Sequence, residues 1–509
     1  MNDSYKKRLY TQALSLSAAV LMAVLAQGKA AADQQNSTES QPTANQVEAV
    51  TPATEAAPNQ TGEKEQTPAP AADNPAVSAA AQTRAVASEE AKTQLADSTV
   101  YMSEPAELKE TVQGQASQAG KLTWTLDNKP IADWKTWNMD SGTFTGQPFV
   151  TIEEKADGND FHLNLQFQKL FGDDLSLRSP HNIRRTYRNF IGNHELVGTS
   201  QDLSLTIRKN IVLRPYEDFH SHEEMLASID KSRQDAKTDR LVQIENIGKS
   251  AQGRDIKLGI ISSDQKSIDD YLSTTNPQAL TKPAEMLAAL KNGNLDYKLP
   301  VLINNTHADE QPAIDIITGL FKTFATKDQI SFKTTAADGS EKLVTLKIQD
   351  LLKKFIFLFD FTENPDGDVL NTRALANGLD PNRDTGYQAN PETRTVAGLI
   401  NKWNPIALYD IHGFVKEFLI EPATPPHDPN FEYDLLADLM LNNAHHMGRA
   451  GVANSGYDKY IIPKLDWGDL LRLHSGLFYV SWHFGTYHRN SRGQSRVLQG
   501  WILRSSRRP

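Results

Sequence analysis

Apolar runs alternate with helix-like stretches through the second half of the chain, and this alternation constrains the fold more than any other feature. Each run is predominantly apolar, which is typical of strands that are buried on both faces. Such runs separated by helical stretches predict an α/β domain with its sheet covered on both faces, and we assign it to residues 216–469. The strand-like runs span 256–261, 300–303, 355–361 and 406–409, and the helical stretches span 283–290, 313–324 and 392–403.

A different pattern precedes this domain, between residues 98 and 215. Polar and apolar residues alternate there with a period of two, which is typical of half-buried strands, so we predict a β-rich accessory domain, a small sandwich. The clearest alternating runs are 122–126, 161–165 and 203–207. Its tryptophans fit either core packing or a platform for carbohydrate, and aromatic rings more often contribute buried area. They are Trp124, Trp134 and Trp137.

The first 97 residues are not expected to fold. Basic residues at 6–8, an apolar run at 13–26 and alanines at 30–32 predict a secretory signal peptide over residues 1–32, with an uncleaved anchor as the alternative. Residues 33–97 contain almost no large apolar side chains, so we predict a disordered linker. Export would place the protein in the medium or on the cell surface, with no transmembrane helix in the mature chain.

Composition excludes several classes of function. The net charge of −10 provides no basic field for nucleic acid. The chain has no cysteine, which excludes disulfides, thiolate metal sites and a cysteine nucleophile. Because export without disulfides suits a bacterial surface protein, we expect a Gram-positive source. Histidines and carboxylates remain as the strong metal ligands.

Four short polar blocks follow apolar runs, where functional residues of α/β sheets tend to lie. His307 and Glu310 are three residues apart, so one helical turn brings both side chains to the same side. His412 ends a later run and supplies a third candidate ligand. Catalytic zinc takes three nitrogen or oxygen ligands and keeps one position open, and two histidines favour zinc over calcium or magnesium. The blocks are His307–Glu310, Glu363–Gly367, Asn382–Asp384 and Asp410–Gly413.

In this order, between about residues 218 and 469, the blocks resemble those of the M14 zinc carboxypeptidases. The resemblance implies a mixed sheet and hydrolysis of the C-terminal peptide bond by a zinc-activated water. It implies one zinc ion per chain, held by His307, Glu310 and His412. It also implies that Asn382 and Arg383 hold the terminal carboxylate of the substrate, for which a planar guanidinium is well shaped.

Arg373 lies between the second and third blocks and corresponds to the family arginine that polarises the scissile carbonyl and stabilises the oxyanion. Simpler interpretations stay open for the neighbouring residues. Asn364–Gly367 is also a β-turn sequence, and Arg383 would equally fit a surface ion pair with Asp384. Asp410 fits either a hydrogen-bond partner of the third ligand or a solvated carboxylate.

The chain departs from the family in two places. Asp309 stands where pancreatic members often have arginine, which leaves the subsites beyond the terminal residue undefined. The late glutamate that acts as general base is also missing, since no string resembling HG-x-x-GHT-x-E occurs. Glu417 and Glu421 follow the third ligand, and the spacing of neither marks it as a substitute.

Residues 470–509 form an abnormal basic tail. They include seven arginines but no lysine, aspartate or glutamate, although the chain has 63 acidic residues. One interpretation is a segment that binds an anionic wall polymer or a membrane. The other comes from the codons, because back-translated residues 481–493, read one nucleotide later, permit HGTLGHTIEIPE, the missing family motif. We therefore hypothesise a frameshift near Asp469, and we assign no histidine of the tail as a ligand.

Two functions from different classes follow. The first is a secreted zinc metallocarboxypeptidase that acts on peptide or protein C-termini, including cell-wall peptides, and whose activity in this chain depends on the missing base. The alternative is a catalytically dead surface protein that binds zinc and peptides. A purely structural adhesin would leave the ordered blocks unexplained.

Overall fold

The computed structural model of the protein describes the accessory domain, most of the α/β domain and three short pieces of the tail. The described residues are 91–172, 186–292, 298–335, 339–413, 418–421, 433–455, 457–462, 479–484, 487–489 and 495–497. The predicted signal peptide, residues 33–90 of the predicted linker and Glu417 lie outside them.

The accessory domain is built from strands, as the alternating pattern predicts. A six-stranded sheet runs in the order β1-β11-β10-β4-β5 with β2 also paired to β11, and a three-stranded sheet has the order β3-β9-β8. A hairpin of β6 and β7 completes the domain. The strands are β1 Ala91–Gln94, β2 Ser98–Tyr101, β3 Ala106–Val112, β4 Leu122–Leu126, β5 Lys129–Pro130, β6 Lys135–Asn138, β7 Thr143–Pro148, β8 Val150–Asp157, β9 Asp160–Phe167, β10 Gly192–Ser200 and β11 Leu205–Arg214.

The boundary predicted between linker and accessory domain is corrected by the structure. Strand β1 lies within the segment 33–97, yet it pairs in parallel with residues 205–208 of β11, and Leu95 is buried just after it. A strand at the edge of a sheet is held by backbone hydrogen bonds, which need no large apolar side chains. Composition alone therefore gave no sign that the fold already includes residue 91.

One apolar cluster joins the two sheets of the accessory domain. Leu126 of the six-stranded sheet and Leu163 of the three-stranded sheet belong to it, as do Trp124 and Trp134. The indole of Trp124 donates to Glu154 Oε1 at 2.7 Å, and that of Trp134 donates to the Leu126 carbonyl oxygen at 3.0 Å. Both rings are buried, so core packing is the correct interpretation for them. Trp137 is partly buried against the same cluster.

The α/β domain contains most of the elements that the apolar runs predict. Its strands are β12 Leu241–Lys249, β13 Asp255–Ser262, β14 Leu299–Asn304, β15 Gln329–Thr335, β16 Glu341–Lys347, β17 Phe355–Asp360, β18 Ala407–Gly413, β19 Phe418–Glu421 and β20 Tyr460–Ile461. Its helices are α1 His222–Gln234, α2 Gln265–Asp270, α3 Asn276–Thr281, α4 Pro283–Lys291, α5 Gln311–Thr326, α6 Ile348–Leu352, α7 Pro365–Leu370, α8 Pro391–Trp403 and α9 Tyr433–Asn454.

The main sheet is mixed and has eight strands. Their order is β12-β13-β17-β14-β18-β21-β19-β20, where β21 is Tyr479–Phe484. The central strands β17, β14 and β18 are parallel, whereas β12 and β13 are antiparallel to their neighbours. The carboxyl ends of the three central strands therefore meet at one edge of the sheet.

Helices cover both faces of this sheet, as predicted. Val301 and Ile303 of β14 pack in one cluster with residues of α1, α5 and α9, whereas Leu302 between them packs in a second cluster with residues of α2 and α8. Successive side chains of a strand point to opposite faces, so an uninterrupted apolar run supplies both cores. This geometry explains why the strands lack polar alternation.

The tail contributes backbone to the sheet, although the sequence placed the end of the domain at residue 469. Strand β21 pairs in parallel with β18 and antiparallel with β19, and two further short strands, β22 Tyr487–Arg489 and β23 Ser495–Val497, pair with each other. The described residues therefore include a strand on the outer side of β18. Among the helices of the described chain, none is long and apolar enough to cross a bilayer.

Candidate metal centre

The three predicted ligands meet at the carboxyl edge of the central strands. His307 lies three residues beyond β14, Glu310 directly precedes α5, and His412 lies near the end of β18. Strands β14 and β18 are hydrogen-bonded neighbours with Asn304 opposite Asp410, so their ends deliver the two histidines to one place. All three ligand side chains are buried.

The ligand atoms converge on one point. His307 Nδ1 lies 2.9 Å from His412 Nδ1, and Glu310 Oε2 lies 2.9 Å from His412 Nδ1. Glu310 Oε1 is 3.4 Å from His307 Nδ1, and one such atom from each residue lies within 4.8 Å of the others. Two donors about 2.1 Å from a shared tetrahedral zinc ion are about 3.4 Å apart, so the separations of 2.9 to 3.4 Å are close to those of a zinc site. Within the described residues this is the one such group of histidines and carboxylates.

Each histidine is oriented by a carboxylate on its other ring nitrogen. Asp380 Oδ1 lies 3.0 Å from His307 Nε2, and Asp410 Oδ2 lies 2.8 Å from His412 Nε2. A carboxylate that accepts a hydrogen bond from Nε2 leaves Nδ1 of the neutral ring free to bind a metal. Asp410 is fully buried, so its interpretation as a solvated carboxylate is wrong.

Asp410 is itself held by the strand next to it. Its carboxylate accepts from the Asn304 amide at 3.1 Å, from the Thr306 backbone at 3.0 Å and from the Thr306 hydroxyl at 2.8 Å. Three neutral donors and His412 therefore offset the burial of one carboxylate. This network fixes the position of the third ligand.

Arg373 joins the cluster from the loop that follows α7. Its Nη1 donates to Glu310 Oε1 at 3.1 Å and its Nε donates to Asp380 Oδ2 at 2.8 Å. Burial opposes the charge of the guanidinium, but the carboxylates of Glu310 and Asp380 raise its pKa above the ordinary value. The guanidinium thus remains a fixed positive charge beside the ligands.

Burial and mutual attraction compete in setting the charges of the cluster. Burial alone would raise the pKa of Glu310, but His307 and His412 hold it well below its usual range. Burial would lower the pKa of His412, whereas Asp410 and Glu310 raise it to about 10. Burial would raise the pKa of Asp380, and hydrogen bonding to His307 together with the charge of Arg373 lowers it. These shifts favour a positive charge on His412 beside the negative charges of Glu310 and Asp380.

Two further acids are buried near the cluster. Burial and the nearby Asp410 raise the pKa of Asp360, at the end of β17, to about 8. Burial, Asp360 and Asp410 also raise the pKa of Glu363 well above its usual range. The sequence does not mark Asp360 as a site residue, because an acid within an otherwise apolar run gives no sign of its neighbours.

The block Glu363–Gly367 starts a helix rather than forming an isolated turn. The Asn364 side chain accepts from the Gly367 backbone at 2.9 Å and caps α7. A Cβ at Gly367 would lie 2.4 Å from the Thr372 carbonyl oxygen, so only glycine fits. Asp366 accepts from the Ser250 hydroxyl at 2.6 Å and from Arg254 at 2.8 Å, which anchors the block to the loop before β13.

The third block lies beside the cluster in a short 3-10 turn, Pro381–Arg383. Asn382 is buried, and its backbone N–H donates to Asp380 Oδ1 at 2.9 Å. Arg383 is exposed, and its guanidinium donates to the Asn382 carbonyl oxygen at 2.9 Å. Asp384 turns away into the start of α8, where it accepts from the Asn390 backbone at 3.0 Å. The third block thus combines an exposed arginine with a buried asparagine that contacts Asp380.

Asp380 is the functional residue that sequence reasoning missed. It precedes Asn382 by two residues, yet an aspartate that directly precedes a proline and follows a glycine by two residues resembles an ordinary turn residue. Only the folded loop brings it to both His307 and Arg373. Asp309, the departure noted in the sequence, is buried between the first and second ligands.

Comparisons with known proteins add the following. No protein-family model and no curated protein matches the chain. Among solved structures it is similar to metallo-carboxypeptidases. That of Burkholderia cenocepacia is 14% identical with a TM-score of 0.35, and the similarity covers 75% of this chain and 77% of that one.

A metallo-carboxypeptidase of Pseudomonas aeruginosa, solved with (2-guanidinoethylmercapto)succinic acid, is 15% identical with a TM-score of 0.33, over 81% of this chain and 90% of that one. Carboxypeptidase A of Helicoverpa armigera is 15% identical with a TM-score of 0.32, over 68% and 85%. Similarity at this level assigns no activity.

Proposed function

We propose that this chain is a zinc-dependent metallocarboxypeptidase that removes C-terminal residues from peptides. The observation that carries the proposal is the convergence of His307, Glu310 and His412, three buried side chains whose ligand atoms approach one another to within 4.8 Å. Two imidazoles and one carboxylate are the donor set of a catalytic zinc site with an open position. The order of the surrounding blocks supports the peptidase class.

Zinc fits these residues better than an alkaline-earth ion. Calcium and magnesium prefer shells made of oxygen, whereas two imidazole nitrogens suit zinc. Asp380 and Asp410 orient both rings, as outer partners of metal-bound histidines usually do. When bound, zinc would act as a Lewis acid and lower the pKa of a water molecule.

The chain's own residues supply substrate recognition. Arg383 is exposed and provides a planar fork for a terminal carboxylate, with Asn382 next to it. Arg373 is held beside Glu310 and Asp380 with its charge intact, where it would stabilise negative charge that develops on a scissile carbonyl. Free peptide C-termini, including those of wall peptides, are the substrates that this arrangement suits.

A specific observation favours the second candidate, a surface protein that binds zinc and peptides without cleaving them. The family string that carries the general base is absent from the sequence. Among the described carboxylates of the cluster, Glu310, Asp380 and Asp410 each bind a histidine. Loss of general base catalysis lowers turnover by about two to four powers of ten. The two candidates therefore share a site and differ in rate.

One experiment separates them. Zinc content is measured after dialysis with Zn²⁺, and a panel of peptides with free or amidated C-termini is tested for binding and for release of terminal residues. One zinc ion per chain with release supports the enzyme, and one zinc ion with binding but no release supports the binding protein. A chain that takes up no zinc refutes both.

The proposed binding of the terminal carboxylate by Arg383 has its own test. Arg383→Met should weaken binding of free-acid peptides and leave binding of amidated peptides unchanged. Arg394→Met is a matched control, because Arg394 is also exposed and donates to backbone carbonyls of the same loop. Equal losses of free-acid peptide binding in the two variants would contradict the role of Arg383 in binding the terminal carboxylate.

Export remains part of this proposal. Residues 1–32 lie outside the described structure, and their interpretation as a signal peptide rests on sequence. N-terminal sequencing of protein recovered from the medium and the cell wall should show cleavage after residue 32 or close to it. An intact N-terminus at the membrane would support the anchor instead.

A further inference from the structure

The segment that leaves the accessory domain passes close to the candidate metal centre. Tyr216 and Phe219 pack in the apolar cluster of the accessory domain, whereas Met225, six residues later, packs in the core of the α/β domain. Two histidines, His220 and His222, lie between them. We propose that His222 is a positioning residue, through which the accessory domain holds the metal-binding loop in place.

A chain of buried hydrogen bonds connects His222 to that loop. His222 Nδ1 lies 2.9 Å from Asp368 Oδ2, on helix α7. The side-chain amide of Gln311 donates to Asp368 Oδ1 at 3.1 Å and to the Ala308 carbonyl oxygen at 3.0 Å. Ala308 is the residue next to the first ligand, so the chain ends on the backbone between His307 and Glu310.

Every side chain in this connection is withdrawn from water. His222 is 7% exposed, Gln311 is 6% exposed and Asp368 is 5% exposed. Burial raises the pKa of Asp368, and the hydrogen bond and charge of His222 oppose that rise. Because a buried carboxylate that loses its partner is costly, the position of Asp368 depends on His222. The position of Gln311 in turn depends on Asp368. Both described acceptors of its side-chain amide, Asp368 Oδ1 and the Ala308 carbonyl oxygen, belong to this chain of hydrogen bonds.

Among the described hydrogen bonds of this loop, the one from Gln311 is the bond that reaches Ala308. Between β14 and α5, the Glu310 backbone donates to the His307 carbonyl oxygen at 3.0 Å, and the Ala313 backbone donates to the Glu310 carbonyl oxygen at 2.9 Å. Neither bond fixes Ala308. Metal affinity is sensitive to partners that orient the ligands, with typical losses of 10- to 100-fold when one is removed. His222 does not contact a ligand itself, because Asp368 and Gln311 lie between it and the loop. We therefore expect its loss to weaken metal binding by an amount at the lower end of that range.

A second contact of the same segment provides a matched control. His220 Nδ1 lies 2.8 Å from Asp315 Oδ1, and the His220 backbone donates to the same oxygen at 3.2 Å. Asp315 lies one turn into α5, on the body of the helix. This contact also ties the connecting segment to the α/β domain, but it does not reach the backbone between the ligands.

The test compares zinc affinity among variants of the full chain. His222→Ala should weaken zinc binding about tenfold in a competition titration against a chromogenic chelator. His222→Asn, which restores a donor near the position of Nδ1, should recover part of the loss. His220→Ala should lower the melting temperature without changing zinc affinity.

A second variant covers the case in which His222→Ala does not fold. Gln311→Met keeps the length of the side chain and removes both donated hydrogen bonds, while Asp368 keeps His222 as its partner. It too should weaken zinc binding about tenfold, and the Co²⁺-substituted protein should show a shifted visible spectrum. Wild-type affinity in Gln311→Met, or equal losses in His220→Ala and His222→Ala, would overturn the inference.

This inference rests on the proposed zinc site, and hydrogen exchange of the metal-free protein separates the two. Residues 305–311 should exchange faster in Gln311→Met and His222→Ala than in the wild type. If the wild type binds no zinc but the loop exchanges faster in the variants, the proposed function fails and the positioning role stands. If zinc binds and neither exchange nor affinity changes, the positioning role alone fails.

Discussion

Replacing Asp380 with asparagine should weaken zinc binding by about 10- to 100-fold. The carboxylate accepts from His307 Nε2 at 3.0 Å and from Arg373 Nε at 2.8 Å. The side-chain oxygen of asparagine can accept from one of these two donors. The NH₂ group of the asparagine then faces the other donor and cannot accept from it. One charge-assisted bond is lost, worth about 1.5 to 3 kcal/mol, which agrees with the loss of about 1.4 to 2.7 kcal/mol expected for an outer partner of a metal ligand.

The assay is a competition titration of dialysed protein against a chromogenic chelator at fixed pH, with circular dichroism to confirm the fold. Asp384→Asn is the matched control. That carboxylate is also buried in the same loop, but it accepts from the backbone of Ala389 and Asn390. It should lower the melting temperature and leave zinc affinity within twofold of the wild type. Unchanged affinity in Asp380→Asn would refute the assignment of Asp380 as the residue that orients His307.

Three further predictions follow from the same geometry. His307→Ala and His412→Ala should each reduce zinc from one ion per chain to none, and full occupancy in either would contradict the ligand set. Arg373→Lys should leave zinc content unchanged and, if the wild type releases terminal residues, lower kcat by about a hundredfold; an unchanged kcat would remove its assigned role. The pKa of Asp360 is raised to about 8 from 3.8. Its neutral form is therefore favoured by folding, so this stabilisation is fully present below about pH 4 and is lost as the pH rises through 8. Asp360→Asn should flatten the fall in melting temperature of the metal-free protein over that range, and an identical pH profile would show that Asp360 is not buried as a neutral acid.

The fold of the α/β domain was largely readable from the sequence. Helices predicted at 313–324 and 392–403 are present as α5, which is two residues longer at each end, and α8, which begins one residue earlier. The strands were predicted because strands buried on both faces are predominantly apolar and lack a polar residue at every second position. The start of the accessory domain could not be predicted from the sequence, since β1 is held at a sheet edge by its backbone.

Strand β21 was also unexpected. Its pairing with β18 joins two segments about 70 residues apart, and nothing in the basic composition of residues 470–509 indicates a strand of the main sheet. The frameshift stays a hypothesis, and sequencing of the gene and its transcript tests it. An intact reading frame that matches this tail in independent isolates would refute it.

The sequence by itself determined the candidate ligand types, their order and the strands that carry them. A short motif can be recognised in the sequence because His307 and Glu310 are only three residues apart along the chain. The tertiary structure alone decided the rest. Asp380 reaches His307 across 73 residues, and His222 reaches Asp368 across 146. Contacts over such separations depend on how loops close in space, which no local pattern of residue types encodes.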